Sequence, residues 1–208
     1  MGFDRLAPFY RAMEFFTAGG KLQRCRMAFL DEIQVPAKIL LAGEGHGRFL
    51  PVCVRRFPEA EIVMVDISAR MLEIARTKVD ADHVQFVHAN FLEWDGPPGG
   101  FDLIVTNFFL DCFPADQLAL VVSKLGHCAT PDAQWLLADF EIAPTPLAGL
   151  RSRVIVGMLY AFFRIITGLK ASALVPPESD LEKAGFSLHR RQTHDWGLLK
   201  SEWWRRNG

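Results

Sequence analysis

The sequence predicts an α/β fold: a doubly wound, mostly parallel sheet with helices on both faces, closed by a C-terminal antiparallel hairpin. Three observations predict it. Short apolar runs, such as 38–42 and 61–66, alternate with segments of helical spacing, the pattern of βαβ units. The runs are apolar at nearly every position, as strands covered on both faces must be. The alternation then stops, and 186–193 and 198–206 follow one another as two strands across a turn near Asp195-Trp196-Gly197.

Taken in order, the first 35 residues show no strand alternation. Phe9, Met13 and Phe16, then Leu22, Arg26 (through its stem) and Phe29, have helical spacing, with Gly19-Gly20 as a break between two helices that end before Pro36. Strand one is 38–42 and stops at a glycine cluster. A helix follows over 47–57, stopped by Pro58. Strand two is 61–66, and Ser68 is placed to cap a helix running to about Val79. Strand three is 83–88. Strand four is 101–106, after the Pro97-Pro98-Gly99-Gly100 loop, and Pro114 opens a helix to about Gly126. Strand five is 134–141 and a short helix is 178–184. With the hairpin this makes a seven-stranded sheet. The organisation is one domain over 1–208: a helical cover at 1–35, a cofactor-binding core at 36–142, a helical insert or lid at 143–175, and the last helix and hairpin at 176–208.

Composition bounds the function classes. The chain has 208 residues, half of them hydrophobic, and a formal net charge of −1. A chain of that length buries enough surface to fold without staples, and near-neutral charge gives no global reason to expect nucleic acid. The N-terminus carries an acid at Asp4 and lacks the apolar run of a signal peptide. The longest charge-free run, 154–163, is ten residues, against about twenty for a bilayer span, so no transmembrane segment is expected. Cys25, Cys53, Cys112 and Cys128 form no CxxC pair, which suits reduced thiols and a cytoplasmic location. The histidines show no HxxxH spacing, so no metal is expected.

The strongest motif is Gly43-Glu44-Gly45-His46-Gly47, directly after strand one and opening a helix. Glycines there permit a tight turn and close approach of backbone to a ligand. Asp66 ends strand two, 19 residues after Gly47, where a carboxylate can accept both hydroxyl hydrogens of a ribose. Loop and acid together specify a nucleoside-bearing cofactor. A dinucleotide fingerprint would need a third glycine at the position of Arg48; the loop reads G-x-G-x-G instead.

That loop resembles motif I of the class I S-adenosylmethionine-dependent methyltransferases, and the resemblance extends over residues 38–142 and the terminal hairpin. It implies a Rossmann-like sheet and S-adenosyl-L-methionine as cofactor. Gly43, Gly45 and Gly47 would line the methionine moiety, Asp66 would bind the ribose and Ile67 would flank the adenine. His88-Ala89-Asn90-Phe91 matches the place where members set an Asp or Asn against the adenine amino group, so Asn90 and Phe91 are candidate contacts. Asn107 would lie where cofactor and substrate meet. Many members carry an acid two residues before the first glycine, where this chain has Leu41. Glu44 inside the loop either binds the cofactor's amino group or faces solvent, and His46 has the same two readings.

Methyl transfer from a sulfonium mainly needs alignment of nucleophile and methyl, and a base only when the nucleophile is protonated. Asp111 is the candidate base or orienting group, with a turn or cap role as its alternative. Asn107-Phe108-Phe109-Leu110 occupies the place of the Asn-Pro-Pro-aromatic motif of relatives that methylate bases or glutamine. Both prolines are missing, so that specificity is not carried over. The apolar, Arg-flanked insert 147–169 has three readings: a helix packed on the sheet or at a homodimer interface, a lid over an apolar pocket, or a membrane-surface helix. Tyr10, Phe108 and Tyr160 are the candidate substrate contacts. The chain looks most like the small-molecule branch: an enzyme methylating O, N or C of a small, partly apolar molecule. A nicotinamide-dependent oxidoreductase and a non-catalytic S-adenosylmethionine-binding module are the alternatives.

Overall fold

The computed structural model of the chain describes residues 19–167, 171 and 173–207. The first expected helix, with Phe9, Tyr10, Met13 and Phe16, lies outside them. The described elements are α1 (Gly19–Met27), β1 (Lys38–Ala42), α2 (Leu50–Arg56), β2 (Glu61–Asp66), α3 (Ala69–Arg76), β3 (Val84–His88), β4 (Phe101–Asn107), α4 (Ala115–His127), β5 (Ala129–Phe140), α5 (Pro146–Thr167), α6 (Glu178–Lys183), β6 (Phe186–His194) and β7 (Leu199–Arg206). Single 3₁₀ turns at Leu110–Cys112 and Asp195–Gly197 complete them.

The strands form one seven-stranded sheet in the order β3-β2-β1-β4-β5-β7-β6. The first five run parallel, and β7 inserts antiparallel between β5 and β6. The order reverses direction between β1 and β4, which leaves a crevice at their C-terminal ends where such sheets bind ligands.

The continuous apolar runs of the central strands serve two cores. Ile39, Leu41, Ile62, Met64, Leu103 and Val105 point to one face, against Leu50, Cys53, Leu72 and Ala75 of α2 and α3. Leu40, Ala42, Val63, Val65 and Ile104 point to the other, against Leu118, Val121, Val122 and Leu125 of α4. Alternate residues of one strand thus pack in opposite directions.

Five boundaries differ from the sequence expectation by more than a residue or two, the first being the end of α1 at Met27, well short of Pro36. Gly19 and Gly20 are helical, the first residues of α1 rather than a break. The helix after the glycine loop begins at Leu50, with residues 45–49 taken up by the turn. α3 ends at Arg76 rather than near Val79. β5 begins at Ala129 rather than at 134 and includes Pro131 and Asp132. Its early part is exposed and sits beside a register irregularity opposite β4, where a proline is tolerated. Ser68 caps α3 as expected, its hydroxyl accepting from Met71 N at 3.2 Å.

α5 is longer and more apolar than the charge-free run implied. By length and composition alone, 146–165 is apolar enough to cross a membrane, although it carries Arg151, Arg153 and Arg164. In the fold it docks by one side only. Val156 and Tyr160 are buried with Leu198 and Leu199, whereas Leu147, Leu150, Val154, Met158 and Ile165 are exposed.

Candidate active site

The site is built at the C-terminal ends of β1, β2, β3 and β4. Gly43, Gly45 and Gly47 all adopt left-handed φ, between 62° and 70°, a region that non-glycine residues enter only at a cost. Gly43 and Gly47 are also held by close packing. A Cβ on Gly43 would lie 2.0 Å from Phe109 Cδ2, and one on Gly47 would lie 2.7 Å from Ala75 Cβ.

Asp66 organises this turn. Its Oδ2 accepts from Gly45 N and its Oδ1 from Ser68 N, each at 2.9 Å. One carboxylate at the end of β2 therefore fixes the glycine loop and the start of α3 together. A carboxylate at this position is the acceptor type that ribose hydroxyls call for. Asp66 is nearly buried, at 7% exposure, so bonds made there are shielded from bulk water.

Glu44 takes a role the sequence did not show. It is buried, with Oε1 accepting from Phe49 N at 2.8 Å and Oε2 from Asn107 Nδ2 at 3.2 Å. It thus satisfies an amide at the start of α2, where no side-chain N-cap exists. It also ties the β1 loop to the β4 exit. The solvent-facing reading of Glu44 is corrected: the orphan amide at Phe49 draws the carboxylate inward. Burial pushes its carboxyl up, against the opposing pull of Arg26, Phe49 N and Asn107. His46 lies half-buried beside Arg48, whose Nε donates to His46 Nε2 at 3.3 Å.

At the β3 exit, Asn90 turns the chain. Its Oδ1 accepts from Leu92 N at 3.2 Å and its Nδ2 donates to Glu93 Oε1 at 3.1 Å. Phe91 is almost fully buried, with ring centroids 4.9 Å from Phe109 and 5.4 Å from Trp94, so it forms floor beneath the site. Ile67 is half-buried, and its carbonyl lies 2.9 Å from Nε2 of the exposed His88.

The β4 exit is strained. Phe108 has φ 53°, unusual for a bulky side chain and characteristic of functional turns. Its N–H donates to Ala138 O at 2.7 Å, and its ring packs 5.3 Å from Phe140. Asp111 follows on the 3₁₀ turn, and Tyr160 of α5 donates its hydroxyl to the Asp111 carbonyl at 2.7 Å. The structure thus brings Phe108, Asp111 and Tyr160 to one exit. Tyr160 is buried, at 7% exposure, and pins α5 to this loop. Tyr10 lies outside the described residues.

Sequence reasoning missed two charged residues here. Asp139, at the end of β5 beside the β4 exit, is 2% exposed. Its signal was a carboxylate inside an apolar strand. Arg26, treated as an apolar stem, is 6% exposed with its guanidinium 5.0 Å from the Phe108 ring. Among the described residues no group of three His, Cys, Asp or Glu is placed to hold a metal ion.

Burial raises Asp111 to about 6. Asp139 is pushed well up, first by burial and then by the Asp111 charge, with Lys200 opposing. Both shifts have the same linkage sign. Between about pH 4, where an unfolded aspartate ionises, and about 6, the folded state holds a proton that the unfolded chain has released. The Asp111 contribution is therefore lost as pH rises through that window, and the Asp139 contribution is lost in the same direction. Glu178 and Asp195 are held low by their basic partners, so their contribution is lost only as pH falls through the ordinary carboxylate range and below. Unfolding free energies from urea titration are expected to be higher at pH 5 than at pH 7, by on the order of 1–3 kcal/mol. Asp139→Asn, which keeps an oxygen for Phe140 N, is expected to flatten that difference. Equal free energies at both pH values would contradict the assignment.

A left-handed glycine turn after β1, a ribose-type acid after β2 and a β3-β2-β1-β4-β5-β7-β6 sheet define the class: a Rossmann-like enzyme for a nucleoside cofactor of the S-adenosylmethionine type. Residues 39–138 match the family model of a methyltransferase domain. A demethylmenaquinone methyltransferase of Thermus thermophilus is 29% identical over 182 residues, covering 85% of this chain and 82% of the relative. A trans-aconitate 2-methyltransferase of Rhodopseudomonas palustris is 34% identical over 101 residues, 42% of this chain and 38% of that protein. Among solved structures, a 1,6-didemethyltoxoflavin-N1-methyltransferase of Burkholderia thailandensis, bound to its substrate and S-adenosylhomocysteine, superposes with a TM-score of 0.68 at 17% identity, covering 98% of this chain and 85% of that one. Residues 39–138 thus carry a methyltransferase domain, and the chain is similar in sequence and fold to S-adenosylmethionine-dependent methyltransferases that act on small molecules.

The residues present fit that cofactor. Asp66 offers ribose acceptors from a fixed carboxylate, and the left-handed loop brings backbone close to the crevice. When bound, that cofactor would supply an activated methyl group. Asp66 and the glycine loop are the groups that would hold it.

Proposed function

We propose that the enzyme methylates a small, partly apolar acceptor bound at the β4 exit between Phe108, Asp111 and the α5 segment around Tyr160. The observation that carries this reading is the Tyr160–Asp111 hydrogen bond at 2.7 Å, which fastens an apolar helix over the end of β4. In this reading Asp66 binds the ribose, Asn90 the adenine amino group, and the glycine loop with Asn107 the methionine end. Asp111, raised to about 6, accepts the acceptor's proton; a base poised near neutrality suits such transfer.

The demethylmenaquinone methyltransferase named above supports an acceptor that pairs a ring with apolar substituents. The outward side of α5 supports peripheral membrane contact as well. It presents Leu147, Leu150, Val154, Met158 and Ile165 at helical spacing, with exposed Arg153 and Arg164 along one edge, and α5 contains no acidic residue. A cytoplasmic location follows from the free cysteines in this reading.

The test is methyl incorporation from labelled S-adenosylmethionine into a panel of acceptors, run with and without anionic phospholipid vesicles. Turnover of a ring acceptor carrying an apolar chain, faster with vesicles, is expected. Turnover confined to polar, chainless acceptors and indifferent to lipid would overturn the reading.

A further inference from the structure

Arg26 is buried on α1, yet the protein does not consume its charge. Among the described residues it makes no ion pair. Its Nη1 reaches Gln23 Oε1 at 3.4 Å, a long bond to a neutral oxygen. Its Nε is buried without any hydrogen-bond partner. Arginine is almost never fully buried unless paired, and an idle donor removed from water is costly. The phenyl face of Phe108, 5.0 Å away, offers the cation partial compensation but leaves Nε–H with no acceptor.

The location gives the idle donor a direction. Phe108 is the strained residue directly after Asn107, and Asn107 donates to Glu44 of the glycine loop. The Arg26 charge is also felt by Glu44, which places the guanidinium where the β1 and β4 exits diverge. Glu44 is not its counter-ion. No ion pair joins them among the described salt bridges, and both Glu44 oxygens are engaged, with Phe49 N and Asn107 Nδ2. A buried cation beside the glycine loop, with an unpartnered Nε–H and no ion-paired carboxylate among the described residues, is a receptor for a carboxylate carried in by the ligand.

We propose that Arg26 is the anchor for the carboxylate at the amino-acid end of S-adenosylmethionine, held through the Nε–H side of its guanidinium. This rests on the cofactor assignment above. No reaction step is involved; Arg26 binds and orients. The planar fork suits a carboxylate, whereas a lysine would offer only a point charge.

Calorimetric titration tests this with two ligands that share one nucleoside: S-adenosylhomocysteine, which carries the amino-acid end, and 5′-methylthioadenosine, which lacks it. Arg26→Met keeps the buried stem and removes the charge. It is expected to weaken S-adenosylhomocysteine about ten- to hundredfold, the usual range for losing a charged hydrogen bond, and to leave 5′-methylthioadenosine unchanged. Arg26→Lys, which keeps a buried cation in case the methionine variant fails to fold, is expected to lose less, again only with S-adenosylhomocysteine. Unchanged S-adenosylhomocysteine affinity in either variant would overturn the proposal. An equal loss for both ligands would overturn it too, because it would mark Arg26 as a packing residue. A wild-type protein that binds neither ligand would overturn the cofactor assignment itself, a result distinguishable from both.

Discussion

Asp66→Ala is expected to weaken S-adenosylhomocysteine binding by at least about tenfold, or about 1.4 kcal/mol, while the protein stays folded. The carboxylate does two things at once. It fixes the crevice by accepting from Gly45 N and Ser68 N, each at 2.9 Å, and in the proposed role it also accepts from the ribose hydroxyls. Charge-assisted hydrogen bonds of this kind are about twice as strong as neutral ones, and each contributes roughly 1.5–3 kcal/mol. Loss of the ribose bonds alone accounts for the tenfold figure; loosening of the glycine turn adds to it. The sheet does not depend on Asp66, since β2 is held between β1 and β3 by parallel pairing along its length. Asp66→Asn keeps one acceptor oxygen and is expected to fall between the two. Titration with a parallel thermal melt checks this, and wild-type affinity in the alanine variant would contradict the ribose role.

Gly43→Ala is expected to show the largest stability effect of any single methyl group in the site. The backbone there sits at φ 64°, which costs a residue with a Cβ roughly 1–2 kcal/mol. The new methyl would lie 2.0 Å from the Phe109 ring. That ring is wedged between Phe91 and Phe113, with centroids at 4.9 and 5.1 Å, so it has little room to retreat. Overpacking of this sort costs typically 1–3 kcal/mol, giving roughly 2–5 kcal/mol in all. Gly20→Ala is the matched control. Gly20 lies in α1 with nothing within 4 Å of an added Cβ, and alanine there is expected to stabilise by about 0.5–1 kcal/mol. Denaturant unfolding of both variants checks the pair. A Gly43→Ala protein as stable as wild type would mean the loop can relax away from Phe109.

Most of the fold was legible because its signals are local. The apolar runs 38–42 and 61–66 gave β1 and β2 with the same boundaries as the structure, and Ser68 marked the start of α3. The errors fall where a tertiary partner overrides local chemistry. Strand five is expected from 134, yet β5 starts at Ala129, where Arg206 holds it: its Nη1 donates to Ala129 O at 2.6 Å and Gly126 O at 3.0 Å. The link between the glycine turn and Asp66 was legible for a related reason: they stand in one βαβ unit, so spacing alone relates them, and Gly45 N donates to the Asp66 carboxylate.

The β4 side was much less legible. Glu44 reads as a loop acid until its bonds to Phe49 and Asn107 are seen, the latter spanning 63 positions. Arg26 sits at a helical apolar position, and nothing local distinguishes a packed stem from a buried, partly idle guanidinium. Asp139 becomes significant only because β4 and β5 pair and set it beside the Asp111 turn.

The central claim, that this glycine turn and acid form an S-adenosylmethionine site, is tested most directly by calorimetric titration of the wild-type protein with S-adenosylhomocysteine, with NADH in parallel. The account expects micromolar binding of S-adenosylhomocysteine and none of NADH, because Arg48 stands where a dinucleotide loop needs its third glycine. Binding of NADH with no binding of S-adenosylhomocysteine would contradict it.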